Sequence, residues 1–180
     1  MKIIKTSRLQ VREFEHTDAE SIIKLLNEPS FIENIADKGV KNKHDAIKYL
    51  DDGPIASYKK FGFGLCMVEL LSEARSIENV VQIGVCGLIK REELEDVDIG
   101  YAFLPDYCGK GYAEESAKAI LEMAKNQFNL SRVVAMTKVS NQSSEKLLRK
   151  LGFNYEKLLT LYGEENKFFS LELSLNRKIS

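Results

Sequence analysis

The sequence predicts a mixed α/β fold (α+β, with one central sheet), and three observations carry that reading. Apolar runs bounded by turn residues alternate with segments of helical periodicity along the chain. One run, Ile99-Gly100-Tyr101-Ala102-Phe103-Leu104, passes through Pro105 and a glycine loop into a long segment where Ala113, Ala117, Ile120, Leu121, Ala124 and Phe128 share one face. Two further runs, residues 153–161 and 167–175, flank Gly163 and read as a closing hairpin.

From the start, residues 8–14 set Leu9 and Val11 between Arg8, Gln10 and Arg12, the mark of a half-buried strand. Thr17 or Asp18 offers an N-cap for a helix that buries Ile22, Ile23, Leu25 and Leu26. Glu28-Pro29 ends it, because a residue before proline is driven out of the helical region. Residues 31–40 read as irregular, and 42–58 as helix interrupted at Gly53-Pro54. Residues 61–71 read as the second strand and 72–78 as a polar turn with Glu73 and Arg75 in solvent. The third strand, 80–89, is rich in Val and Ile, and its Gly84 and Gly87 point to a bulge. Charged residues 91–96 form a solvated turn; 97–104 is the fourth strand, 113–128 the long helix and 132–137 the fifth strand. A helix starting at Ser140 or Asn141 turns Leu147, Leu148 and Leu151 inward and ends at Gly152. No repeat or linker divides the chain, so residues 1–180 read as one domain.

Composition excludes several classes. Hydrophobic residues make up 44% and charged residues 29%, ordinary values for a globular protein. A net charge of −1 gives no general pull toward nucleic acid or anionic membrane. No apolar stretch approaches the ~18 residues of a spanning helix and no signal-peptide core opens the chain, so the expectation is a cytoplasmic protein. Cys66, Cys86 and Cys108 are odd in number and far apart, which argues for free thiols rather than disulfides or a zinc site; no metal is expected.

The loop Cys108-Gly109-Lys110-Gly111-Tyr112-Ala113 carries most of the functional information. Two glycines let the backbone curl without Cβ interference. The first N–H groups of the following helix lack intrahelical partners, and with the helix dipole they form an anion seat. Lys110 adds a positive charge. The competing meaning is a plain glycine-rich turn. A Walker loop is excluded because Gly111 follows Lys110, and a dinucleotide fingerprint because Glu114 stands where its third glycine would.

The loop resembles the acetyl-coenzyme A loop of the GNAT N-acetyltransferase superfamily, [Q/R]-x-x-G-x-[G/A]. Gly111 and Ala113 match its last two positions, and Cys108 departs from the first. In the branch similar to ribosomal-protein (Rim-type) N-acetyltransferases the loop reads W-G-K-G-Y-A, with Cys108 here in the tryptophan's place. The branch's other marks follow in order: Thr6-Ser7-Arg8-Leu9 with Arg12, Asp98-Ile99-Gly100-Tyr101, and Asn141-x-x-Ser144 running into Lys150-Leu151-Gly152-Phe153.

The resemblance implies a mostly antiparallel sheet of about seven strands with about four flanking helices, whose fourth and fifth strands splay around the pantetheine arm. Ala102, Phe103 and Leu104 would lend it backbone. The diphosphate would rest on the N–H groups from Cys108 to Ala113, with Lys110 and Tyr112 alongside, and Asn141 would touch the arm as well as cap its helix. The early helical region would wall the acceptor site; ordinary amphipathic packing is the alternative. The implied reaction is direct acetyl transfer from acetyl-CoA to a primary amine, a protein N-terminus or a small molecule, by a monomer or homodimer without nucleic acid or membrane. An α-amino group, pKa ~8, needs little help to lose its proton, whereas a lysine, pKa ~10.4, needs a positioned base. Asp98 is the expected base, with a solvated strand carboxylate as the alternative; Glu164 and Glu165 are weaker candidates. Ser144 is the expected proton donor to the departing thiolate, with a first-turn helix serine as the alternative. Tyr101, Tyr107 and Tyr112 read as packing residues. No histidine lies near Cys108, so no acyl-cysteine step is expected. A sensor that binds acetyl-CoA without turnover is the alternative from another class.

Overall fold

In the computed structural model, which describes residues 3–71 and 80–174, eight strands form a single sheet. They are β1 (Ile4–Lys5), β2 (Leu9–Arg12), β3 (Leu65–Leu70), β4 (Val81–Ile89), β5 (Val97–Phe103), β6 (Arg132–Lys138), β7 (Asn154–Leu161) and β8 (Glu164–Glu172), in the order β1-β2-β3-β4-β5-β6-β8-β7. All neighbours run antiparallel except β5 and β6. The helices are α1 (Ala19–Leu26), α2 (Pro29–Asn34), α3 (Lys43–Leu50), α4 (Ala56–Phe61), α5 (Tyr112–Asn126) and α6 (Gln142–Lys150). The turn expected at 72–78 lies outside the described residues.

Side-chain alternation divides the core in two. Cys66, Val68, Val97, Ile99, Val133, Ala135 and Phe169 face α5 and α6, where Ala117, Ile120, Ala124 and Leu148 meet them. Met67, Val85 and Leu104 face the other side, against Ile22, Leu25 and Leu26 of α1 and Ala46 and Leu50 of α3.

Four local features differ from expectation or sharpen it. Residues 29–34 form a helix, because Pro29 stops α1 yet fits the first turn of α2, where a missing N–H is harmless. The interruption at Gly53-Pro54 is a π-turn, Asp51–Ile55, that carries the helical run from α3 into α4. The bulge in β4 sits at Ile83: Val68 pairs with Gly84 and Glu69 with Gln82. β5 keeps register with β4 from Asp98 to Phe103, and Gly100 packs closely against Ile89.

The feature that positions the site is the β5–β6 seam. It holds two pairs, Val97 with Val133 and Asp98 with Val134, and then ends. Beyond it β5 runs on beside β4 to Phe103, and β6 beside β8 to Lys138. The sheet is therefore open between β5 and β6 from Ile99 onward, as the splayed strands of the resemblance require.

Candidate active site

Past the open seam, β5 reaches Pro105, a single tight turn (Pro105–Tyr107) and the glycine loop. Gly109 and Gly111 have φ of +72° and +83°, left-handed values that a side chain at either position would strain. Gly111 is the N-cap of α5. The N–H of Cys108 donates to the Pro105 carbonyl at 3.1 Å. Those of Gly109, Lys110 and Gly111 meet no protein acceptor among the described residues, and all three residues are exposed. A row of free amides thus precedes the positive end of a 15-residue helix. Lys110 carries its ammonium 5.6 Å above the Tyr107 ring, and Tyr107 and Tyr112 face each other at 6.5 Å.

The loop is tied down from the turn between β1 and β2. Glu115, in the first turn of α5, accepts from Thr6 Oγ1 at 2.6 Å, Ser7 Oγ at 3.0 Å, Arg8 N at 3.0 Å and Arg8 Nε at 2.7 Å. Arg8 also donates to the Lys110 carbonyl at 3.0 Å and lies over the Tyr112 ring. This is the physical content of the Thr6-Ser7-Arg8-Leu9 mark. Arg12 does similar work deeper in, bracketing both oxygens of buried Asp18 at 2.8 Å and reaching Glu69.

On the open edge of β5, backbone direction alternates. The Leu104 N–H turns away from the opening to the Ile83 carbonyl at 2.9 Å, and the Ala102 carbonyl lies against Gly84. Of the three residues expected to lend backbone, Phe103 alone faces the opening, and Tyr101 shares its direction.

Asp98 stands at the last seam pair and is almost wholly buried. Oδ2 accepts from Arg91 Nε at 2.7 Å, and Oδ1 has no partner among the described residues. Burial pushes the carboxyl up to about 6 against the pull of Arg91. It is not a solvated strand carboxylate. Arg91, read from sequence as part of a solvated turn, was missed; the sign of it is the hairpin register that pairs Ile89 with Asp98 and brings Arg91 round beside the carboxylate. Glu164 pairs with Lys138 at 2.7 Å, and Glu165 is exposed on the hairpin.

Ser144 lies in the first turn of α6. Asn141 Oδ1 caps the helix by accepting the Ser144 N–H at 3.0 Å, which leaves the Ser144 hydroxyl for Tyr101 Oη at 2.9 Å. Sequence reasoning placed Tyr101 among packing residues. The pair links β5 to the helix that follows β6, on the α5–α6 face, whereas strand alternation sets Asp98 on the other face. Burial pushes the Tyr101 hydroxyl up to about 12. Gly152 and Phe153 close α6 by donating to the Arg149 and Leu148 carbonyls, as the C-cap reading required.

Cys108 Sγ points back toward the Phe103 and Leu104 carbonyls, and partial burial raises its pKa. A protonated thiol without a basic neighbour is a poor nucleophile. His16 pairs with Asp51 on the surface, far in sequence from the loop. Among the described residues no cluster of His, Cys, Asp and Glu could hold a metal ion, and no helix is long and apolar enough to cross a membrane.

Three comparisons bear on this arrangement. Residues 8–154 match the family model described as an acetyltransferase (GNAT) domain. The uncharacterized N-acetyltransferase YnaD of Bacillus subtilis (strain 168) is 30% identical over 153 residues, covering 85% of this chain and 83% of that one. Among solved structures, the acetyltransferase from Agrobacterium tumefaciens str. C58 superposes with a TM-score of 0.79 at 20% identity, over 96% of this chain and 95% of its own. RimL, a ribosomal L7/L12 alpha-N-protein acetyltransferase in complex with coenzyme A, superposes with a TM-score of 0.77 at 17% identity, over 96% and 98%. The structural likenesses speak for the fold, and the family match for descent and activity class: this chain belongs to the GNAT family and is an acetyltransferase.

Proposed function

We propose that the protein moves an acetyl group from acetyl-CoA to a primary amine by direct attack in a ternary complex. The observation that carries this is the two-pair β5–β6 seam, which opens beside Phe103 and leads straight to the unpaired amides of Gly109, Lys110 and Gly111. An opening between strands suits an amide-bearing arm, and free amides at a helix N-terminus suit a diphosphate. The RimL neighbour's complex with coenzyme A supports the same donor. One sheet running from Ile4 to Glu172 supports a single domain.

In this reading Tyr101 and Phe103 offer their backbone to the arm from β5. Gly109 to Ala113 hold the diphosphate, with Lys110 and Tyr112 at its edge and the Asn141 amide on the arm. Acetyl-CoA supplies the acetyl group as a thioester. Asp98, ionised at neutral pH, takes the amine's proton through a water at its unpartnered Oδ1. A β5 N–H on the open edge stabilises the oxyanion. The Ser144–Tyr101 hydroxyl pair returns a proton to the departing thiolate. The N–C bond forms, the C–S bond breaks, and one proton passes from amine to thiol overall. The raised Cys108 pKa favours direct attack over an acyl-enzyme.

The acceptor is a protein N-terminus, as RimL's name records for that protein, or a small-molecule amine. The test is release of coenzyme A thiol with and without amine acceptors. Acceptor-dependent release supports the reading; tight acetyl-CoA binding with no release from any amine would identify a sensor instead.

A further inference from the structure

A groove of about 800 Å³ lies on the Asp98 face of the sheet, walled by residues 38–40, α3, the π-turn, α4 and residues 88–90 of the β4 end. The groove adjoins the catalytic seam, because Ile89 in its wall is the register partner of Asp98. Its ionisable lining, apart from Tyr49, is four lysines and two aspartates, in a chain whose net charge is −1.

Both aspartates already have partners. Asp52 pairs with Lys48. Asp45 Oδ2 accepts the Lys41 N–H at 3.0 Å and Asn42 Nδ2 at 2.8 Å. Nearby Asp37 turns to Lys41 and to the Gly39 N–H. The remaining three lysines meet no carboxylate among the described residues. Lys90 donates to the Leu94 and Glu95 carbonyls, Lys60 lies over the Phe61 ring, and Lys38 is exposed at the rim. Arg91 follows Lys90, fixed through its Nε by Asp98. Its charge reaches Lys38, which partial burial and Arg91 together hold below the usual ammonium range. Arg91 is compensated by Asp98, whereas Lys38 and Lys60 line the groove with no carboxylate partner among the described residues, so an anion arriving there offsets their charge.

We infer that the acceptor amine also carries an anionic group, a carboxylate or a phosphate, which Lys38 and Lys60 of the groove hold while the amine faces Asp98. The inference rests on the acetyltransferase reading and narrows its substrate class. A polyamine or other polycation would bring like charge to this rim, and such acceptors are disfavoured.

The test is calorimetric binding of N-acetylated products to the coenzyme A-loaded protein, which does not require turnover. N-acetylglutamate and N-acetylphosphoethanolamine represent the carboxylate and the phosphate; N-acetylethanolamine is the neutral control and N-acetylspermidine the cationic one. We expect one anionic product to bind about tenfold or more tighter than the neutral control, and N-acetylspermidine most weakly. The double variant Lys38→Glu/Lys60→Glu, at two surface positions, should abolish that preference with coenzyme A affinity unchanged. The better of the two anionic products identifies the group. Equal or tighter binding of the neutral or cationic product, no measurable binding of any product, or a preference untouched by the double variant would overturn the inference. Failure of the wild type to bind coenzyme A, measured first, would instead strike the acetyltransferase reading beneath it.

Discussion

Tyr101 and Ser144, 43 residues apart, meet hydroxyl to hydroxyl at 2.9 Å and join β5 to the helix beyond β6 where the two strands have parted. Because Asn141 caps α6, Ser144 is released from that duty. If the pair supplies the thiolate's proton, Ser144→Ala lowers kcat about tenfold and leaves acetyl-CoA affinity within about twofold. Tyr101→Phe should do the same, and the double variant should be little worse than either, since the two act as a unit. Steady-state rates beside equilibrium binding decide it; an unchanged kcat in Ser144→Ala returns the serine to packing.

Asp98 predicts a pH signature in activity. Its ionised form is the base, so kcat/KM should rise as pH increases through about 6. Asp98→Asn removes that inflection and leaves the later rise from the amine's own deprotonation. An inflection near 6 that survives in Asp98→Asn would assign it to another group.

The same carboxyl predicts a pH signature in stability. Its folded pKa, about 6, lies above the ordinary 3.8. Between those values the folded state binds more protons than the unfolded one, so stability falls as pH rises from about 4 to about 6. The shift corresponds to a loss on the order of 3 kcal/mol, complete above pH 6. Urea unfolding across that range should show the fall in the wild type and a flatter profile in Asp98→Asn.

Glu115 gathers Thr6, Ser7 and Arg8 onto the first turn of α5. Glu115→Ala leaves those donors without their acceptor and frees the loop from the β1–β2 turn. We expect about 1–3 kcal/mol lower stability and weaker acetyl-CoA binding. Thermal unfolding with and without ligand reports both; unchanged affinity at lowered stability would show that the tie serves the fold alone.

Gly111 and Gly109 share left-handed backbone but differ in surroundings. A Cβ on Gly111 would come 3.3 Å from Arg8 Nη2, whereas one on Gly109 meets nothing within 4 Å. Each substitution carries about 1–2 kcal/mol of backbone strain. Gly111→Val additionally disturbs the Arg8 clamp and should block acetyl-CoA binding, while Gly109→Ala should weaken it less. Equal binding by Gly111→Val and the wild type would remove the loop from the donor site.

Much of this was readable before any coordinates. The glycine loop, the strand entering it and the helix leaving it follow from local chemistry: Pro105 ends a strand, Gly111 starts a helix, and Gly152 ends one. Asn141 as the cap of α6 was legible for the same reason. β1 was missed because two residues leave no period to detect. α2 was missed because Pro29 was read as a stop when it is also a start. The pairings Arg91–Asp98 and Tyr101–Ser144 depend on hairpin register and on where a crossover returns, which spacing along the chain does not encode. The unequal backbone roles of Phe103 and Leu104 likewise appear only once β4 fixes which edge of β5 is free.

The most direct test of the central claim is an amide titration. Nitrogen-15 spectra recorded while acetyl-CoA is added should move the Gly109, Lys110, Gly111 and Tyr112 amides downfield as they donate to the diphosphate, and should shift Tyr101 and Phe103 on the open strand edge. Acetyl-CoA that binds while those six amides stay where they are would contradict the account.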